Sequence, residues 1–117
     1  MFEIDGLKIG KDCKPYIIAE LSANHGGDIT RAKKSIKAAK DAGVSAVKLQ
    51  TYTPDTMTLN SRKKDFLIND GLWKGNNLYD LYKKAYTPFD WHLELFKYAR
   101  SIGITFFSTP FDEAAID

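Results

Sequence analysis

Polar residues with chemical uses follow each of three short apolar stretches in the 117-residue chain. In chain order they are Glu20, Ser22, Asn24 and His25, then Lys48, Gln50 and Tyr52, and finally Ser108, Thr109 and Asp112. A lysine held on a rigid strand supplies a cation for a phosphate or carboxylate. A carboxylate at a strand end can transfer protons or hold a sugar hydroxyl. Because the carboxyl ends of parallel strands meet at one edge of a sheet, the sequence predicts one ligand site there.

Glu20, His25 and Lys48 also have structural explanations, as does His92. Lys48 can lie along a sheet edge with its head group in water, and Glu20 can pair with Lys48 as an ion pair between neighbouring strands. His25 can be a loop residue satisfied by backbone groups, whereas His92, on an apolar helix face, is expected in the core. The clustering at three successive strand ends favours a site but does not identify a reaction.

Strand and helix signals alternate along the chain, with one long interruption. The predicted units are a hairpin over 1–10 with its turn at Asp5-Gly6, a βαβ unit over 16–52, an insertion over 53–87, and a helix, a strand and the start of a further helix over 88–117.

The helix signals are specific at their ends. A helix over 30–42 has Asp28 or Thr30 as its cap and stops at Gly43, and a short helix is predicted over 78–85. Thr87 and Asp90 form the pattern of a capping box, with Pro88 in the first helical position and Gly103 beyond the end. The apolar face predicted for this last helix comprises His92, Leu95, Phe96, Ala99 and Ile102.

This alternation predicts an α/β fold with right-handed βαβ units on a parallel sheet. An open doubly wound sheet and a β/α barrel both fit the pattern. Since three parallel strands would leave a long unpaired edge, we expect the chain to be part of a larger α/β protein.

Composition and charge give no indication of several classes of function. A net charge of +2 gives no indication of a nucleic-acid or acidic partner, and the one cysteine, Cys13, permits no internal disulfide. Apolar runs are far shorter than the roughly 18 residues of a membrane span. These features predict a cytoplasmic protein that binds neither nucleic acid nor membrane.

Three motifs carry a resemblance to a known family. "IAELSANHGGDITRAKKSIKAAKDAG", "AVKLQTYTPDTMT" and "FFSTPFDEAAID" resemble the start of the sialic acid synthases, which are N-acetylneuraminate synthase-like enzymes. The block "LWKGNNLYDLYKKAYTPFDWH" is most similar to the pseudaminic acid synthases within that family. The resemblance runs from about Phe2 to Asp117.

The resemblance implies the N-terminal part of a TIM-type β/α barrel, about three βα units preceded by the hairpin. It implies a transferase that condenses phosphoenolpyruvate with 2,4-diacetamido-2,4,6-trideoxy-altrose to form pseudaminic acid and phosphate. In the family a divalent metal, Mn²⁺ or Mg²⁺, polarises the sugar aldehyde. A C-terminal antifreeze-like domain, absent from this chain, and a homodimer are implied for the intact enzyme.

Site residues follow from matching the family motifs. Glu20 matches a carboxylate that contacts the sugar near its reacting end, a candidate catalytic proton-transfer group. Lys48 and Thr109, with Phe111 beside them, match the phosphoenolpyruvate side. Gln50 and Asn76 match the sugar side. Asn24 and His25 belong to the family signature without an assigned role.

We further expect Trp73, Asn76 and Tyr79 to form part of a lid that selects the sugar. The metal-binding histidines and a second catalytic glutamate are expected beyond Asp117, since neither His25 nor His92 matches them. The chain alone is therefore expected to be catalytically incomplete, because a barrel needs about 250 residues to close. The alternatives are an N-acetylneuraminate or legionaminic acid synthase and a non-catalytic barrel fragment.

Overall fold

The computed structural model describes residues 1–116 of the chain. Its strands are β1 (Phe2–Ile4), β2 (Leu7–Ile9), β3 (Ile18–Glu20), β4 (Ala46–Thr51) and β5 (Thr105–Pro110). Its α-helices are α1 (Ile29–Asp41), α2 (Pro54–Met57), α3 (Leu78–Ala85) and α4 (Phe89–Ser101). Single 3₁₀ turns occur at Lys64–Phe66 and Glu113–Ala115.

The predicted hairpin is formed by β1 and β2, which pair in antiparallel fashion. Its turn residues Asp5 and Gly6 both have positive φ, at 47° and 82°, as a two-residue type I′ turn requires. The Thr105 hydroxyl donates a hydrogen bond to Asp5 Oδ2 at 2.6 Å. This contact attaches the hairpin to the amino end of β5.

The three remaining strands form a parallel sheet in the order β3-β4-β5. Side chains of α1 and α4 join one face of this sheet in a single core, whose fully buried members include Ala32, Ile36, Leu49, Leu95 and Ala99. Both helices thus cover the same face. Sequential strand order with helices on one face is the arrangement of a β/α barrel, whereas doubly wound sheets carry helices on both faces. The predicted α/β fold is confirmed, and the arrangement matches part of such a barrel.

Helix α1 begins and ends within one residue of the predicted range 30–42. The Thr30 backbone N–H donates to Asp28 Oδ1 at 2.8 Å, so Asp28 rather than Thr30 is the cap. That hydrogen bond lowers the pKa of the Asp28 carboxyl. Gly43 follows the helix with a φ of 82°, a conformation that glycine adopts without steric cost.

The capping box predicted for α4 does not form, although the helix begins within one residue of its predicted start. Pro88 precedes the helix as an extended residue instead of occupying its first position, and no side-chain hydrogen bond caps it. Thr87 is fully buried, and its hydroxyl contacts His25 rather than a backbone N–H of the first turn. A buried tertiary partner has therefore replaced the local capping box.

The predicted apolar face of α4 is correct only in part. Leu95 and Ala99 are fully buried, and His92 and Ile102 are half-buried. Phe96 is 42% exposed and lies beneath the Arg100 guanidinium, whose Cζ is 5.9 Å from the ring centroid. The face that packs on the sheet is thus narrower than the sequence indicates.

Within the insertion, α3 spans the predicted Leu78–Ala85, and the Asn77 side chain caps it by accepting the Tyr79 backbone N–H at 3.0 Å. Helix α2 and the 3₁₀ turn at Lys64–Phe66 were not predicted. In residues 1–116, no helix has the length and apolar character needed to cross a membrane.

Candidate active site

The uncovered face of the parallel sheet carries four of the polar residues that the sequence singled out, namely Glu20, Lys48, Gln50 and Thr109. Strand register places Glu20 beside Lys48 and Gln50 beside Thr109. Because side chains alternate across a strand, Leu49 and Thr51 point to the helix-covered face while Lys48 and Gln50 point away from it. Two polar residues can therefore occupy an otherwise buried strand, because both of their side chains lie on its open face.

Lys48 is the centre of this group. Its Nζ lies 2.5 Å from Glu20 Oε2 and donates a hydrogen bond to Thr109 Oγ1 at 3.2 Å. The ion pair foreseen as an alternative to a functional role is therefore present. Both side chains remain about one-third exposed, so the pair adds little to stability and stays accessible to a ligand. An anion that binds Lys48 would compete with Glu20 for the same ammonium group.

Gln50 lies next to this ion pair and is held by Ser22. The Ser22 hydroxyl donates to Gln50 Oε1 at 3.4 Å, and the Ser22 backbone N–H donates to Glu20 Oε1 at 3.2 Å. A continuous chain of contacts thus runs from Gln50 through Ser22, Glu20 and Lys48 to Thr109. The sequence places Ser22 among the polar residues of the first strand end without indicating a role for it.

Phe111 follows β5 and forms part of an aromatic cluster. Its ring packs edge-to-face on Tyr52 at 5.7 Å, and Tyr52 packs in the same way on Tyr82 at 5.8 Å. Burial raises the pKa of the Tyr52 hydroxyl. Since Tyr82 lies on α3, this cluster joins the insertion to the carboxyl ends of β4 and β5, a link that no local pattern indicates.

Asn76 makes its hydrogen bonds within the insertion. Its side-chain amide donates to the Trp73 backbone carbonyl at 2.9 Å. Its own backbone carbonyl accepts the Ile68 N–H at 2.9 Å. The neighbouring Asn77 is buried and holds the insertion together as the cap of α3. Trp73 is 54% exposed. In the described structure, Asn76 and Trp73 are thus separate from the contacts around Lys48.

Tyr79 attaches the same helix to α2. Its hydroxyl donates to Asp55, with distances of 3.2 and 3.3 Å to the two carboxylate oxygens. Burial of the ring and the nearby Asp55 charge raise the pKa of Tyr79. Arg62 and Asp80 add an ion pair of 2.9 Å across the insertion. The two helices of the insertion therefore form one packed unit.

His25 is fully buried and engaged at both ring nitrogens. Nδ1 accepts the Gly27 backbone N–H at 3.0 Å, so the proton of the neutral ring lies on Nε2, which is 3.0 Å from the Thr87 hydroxyl. Trp91 packs edge-to-face on the ring at 5.2 Å. Burial lowers the pKa of His25, which favours this neutral form.

His92 belongs to a second, partly buried network on the helix-covered side of the sheet. Its Nδ1 lies 3.1 Å from the carbonyls of Pro88 and Phe89, and its Nε2 lies 2.7 Å from the Thr51 hydroxyl. Thr51 in turn lies 2.5 Å from the Ser108 hydroxyl. The predicted core histidine is thus half-buried, and it ties the start of α4 to β4 and β5.

Metal binding requires several converging donors. In residues 1–116, no three His, Cys, Asp or Glu side chains come together in a group that could hold a metal ion. Both histidines use their ring nitrogens in the hydrogen bonds described above. The donors in this part of the chain therefore do not fit a divalent metal site.

Comparison with known proteins identifies close relatives. The chain is 56% identical over 106 residues to the pseudaminic acid synthase of Campylobacter jejuni strain 81-176, a match that covers 91% of this chain and 31% of the relative. It is 52% identical over 103 residues to the pseudaminic acid synthase of Helicobacter pylori, covering 88% and 30%. The chain thus spans about a third of the length of these relatives.

A solved structure shares the fold. The N-acetylneuraminic acid synthetase of Leptospira borgpetersenii, crystallised with citrate, superimposes with a TM-score of 0.77 at 30% identity, covering 98% of this chain and 35% of that protein. The sequence model of the NeuB family matches residues 35–117. With most of its length matched, the chain belongs to the NeuB family.

Proposed function

We propose that the intact protein condenses phosphoenolpyruvate with 2,4-diacetamido-2,4,6-trideoxy-altrose to form pseudaminic acid and phosphate. The observation that carries the proposal is Lys48, held between Glu20 and Thr109 on the open face of the sheet. Identity of 52–56% to pseudaminic acid synthases supports this sugar. Identity to the diacetyllegionaminic acid synthase of Legionella pneumophila is 36%, so the legionaminic sugar is the second candidate.

Lys48 and Thr109 are proposed to bind phosphoenolpyruvate. An ammonium and a hydroxyl 3.2 Å apart can both donate to oxygens of one phosphate or carboxylate. Thr109 also lies beside Gln50 in the strand register, so an anion at Lys48 and a sugar at Gln50 would be neighbours. Phe111, two residues after Thr109, would line the anion side.

In the proposed reaction, carbon 3 of phosphoenolpyruvate attacks the open-chain aldehyde of the sugar and water adds at carbon 2. The resulting tetrahedral intermediate loses phosphate with cleavage of the carbon–oxygen bond. Glu20, 2.5 Å from Lys48, is placed to move a proton beside the bound anion. Asn76 would contact the sugar when the insertion closes over the open face, with Trp73 and Tyr79 in the lid.

A divalent metal, Mn²⁺ or Mg²⁺, is implied by the family resemblance. We place its ligands in the part of the intact protein outside this chain, and we propose the same origin for the rest of the barrel and an antifreeze-like domain. A homodimer and a cytoplasmic location, where phosphoenolpyruvate is made, complete the proposal. The isolated 117 residues would then be inactive.

The test is phosphate release by the full-length protein with Mn²⁺ and phosphoenolpyruvate. Three arms are compared, one with the diacetamido-trideoxy-altrose, one with N-acetylmannosamine and one with the legionaminic precursor sugar. Release with the altrose sugar alone supports the proposal. Release only with another sugar reassigns the branch, and release with none contradicts the proposed reaction.

A further inference from the structure

Ser22 has a backbone conformation that a serine adopts only at a cost. Its φ is 49°, in the left-handed region, and outside the hairpin turn it is the one non-glycine residue of the described chain with positive φ. Glycine would take up this conformation without steric strain. Strained residues of this kind concentrate at functional sites, where the surrounding structure holds them in place.

The strained turn brings Ser22 into contact with two proposed site residues at once. Its backbone N–H is directed to Glu20 Oε1, while the other oxygen of that carboxylate, Oε2, is paired with Lys48. Its hydroxyl donates to Gln50 Oε1. Ser22 therefore sets the orientation of the Glu20 carboxylate through its backbone and that of the Gln50 amide through its side chain.

The orientation of the Gln50 amide has a chemical consequence. With Oε1 accepting the Ser22 hydroxyl, Nε2 and its two N–H donors lie at the opposite edge of the planar amide group, away from Ser22. A ligand group that meets Nε2 must then be an acceptor, such as an acetamido carbonyl or a hydroxyl oxygen. Without Ser22 the amide could rotate and present its oxygen instead, which would favour an N–H donor.

We propose that Ser22 is a positioning residue for sugar selection: its hydroxyl holds the Gln50 amide with Nε2 directed towards an acceptor oxygen of the amino sugar. The inference rests on the proposed function, because it requires Gln50 to face the sugar. It adds the polarity of that contact and assigns it to a residue outside the proposed binding set.

The experiment measures steady-state kinetics of the full-length protein with Ser22→Gly and Ser22→Ala. Both changes remove the hydroxyl, and glycine also relieves the positive φ. We expect KM for the amino sugar to rise about 3- to 10-fold, as loss of one neutral hydrogen bond implies, with KM for phosphoenolpyruvate unchanged. The melting temperature of Ser22→Gly should not fall. Ser35→Ala, which removes an exposed hydroxyl bonded to the Arg31 carbonyl on α1, is the matched control.

Two results overturn the assignment of Ser22 while leaving the proposed function intact. In the first, the wild-type enzyme is active and neither Ser22→Gly nor Ser22→Ala changes KM for the sugar. The other is an equal rise in KM for both substrates with a lower melting temperature, which indicates general support of the fold. A wild-type protein that releases no phosphate with any amino sugar overturns the proposed function and this inference together.

Discussion

His25 Nε2 lies 3.0 Å from the Thr87 hydroxyl, joining two fully buried side chains that are 62 residues apart in the chain. His25 belongs to the loop between β3 and α1, and Thr87 ends the insertion just before α4. The contact therefore anchors one end of the insertion to the loop that follows the first strand of the sheet.

Removal of the Thr87 hydroxyl should destabilise the protein. Thr87→Val keeps the volume but leaves the His25 Nε2–H buried without an acceptor, which costs about 1–3 kcal/mol. Urea unfolding of the full-length protein measures the loss. In a double-mutant cycle with His25→Ala, the two losses should be less than additive; full additivity would show that the two side chains do not interact.

Burial of His25 predicts a pH-dependent stability. Burial lowers its folded pKa below the ordinary value of 6.5, so the unfolded chain binds the proton first as the pH falls. The contribution of the neutral ring to the free energy of unfolding is complete above pH 6.5 and is lost as the pH drops below that value. Melting temperatures at pH 7.5 and 5.5 should differ more for the wild type than for His25→Gln. Equal differences in melting temperature for the two proteins would show that another group controls the pH dependence of stability in this range.

Lys48→Ala should impair phosphoenolpyruvate binding. Hydrogen bonds from a charged group contribute about 1.5–3 kcal/mol, so KM for phosphoenolpyruvate should rise about 10-fold or more. KM for the sugar should change less. Lys37→Ala, which breaks an exposed pair with Asp41 on α1, is the control; a similar effect of both substitutions would contradict the role of Lys48.

Glu20→Gln should lower turnover. The amide has nearly the same shape but cannot transfer the proton, and general acid–base catalysis contributes about 100-fold or more. The melting temperature should be nearly unchanged, because the Glu20–Lys48 pair is partly exposed. Unaltered kcat in a folded variant would exclude Glu20 from proton transfer.

Thr51→Val should weaken the connection between α4 and the sheet. The substitution removes the hydroxyl that contacts His92 and Ser108, at a cost of about 1–3 kcal/mol in the free energy of unfolding. Ser108→Ala removes only the outer hydroxyl and should cost less. Equal costs for the two variants would contradict the central position of Thr51.

Much of the local structure was determined by the sequence itself. The Asp5-Gly6 turn, the Asp28 cap of α1 and helix α3 all form where their residues predict. These features depend on hydrogen bonds and backbone preferences within a few residues of each other, so neighbouring side chains are enough to specify them. The polar ends of the three strands likewise predict that Glu20, Lys48, Gln50 and Thr109 lie together.

Tertiary structure decided the rest, because distant residues compete with local ones for the same groups. Thr87 has the pattern of a helix cap, yet the buried ring of His25 takes its hydroxyl. Phe96 fits the helical period but lies outside the surface that α4 buries. The register that places Glu20 beside Lys48, and the turn that aims Ser22 at Gln50, depend on strands that are far apart in the chain. Such pairings follow from how the whole sheet packs, and no single stretch of sequence contains them.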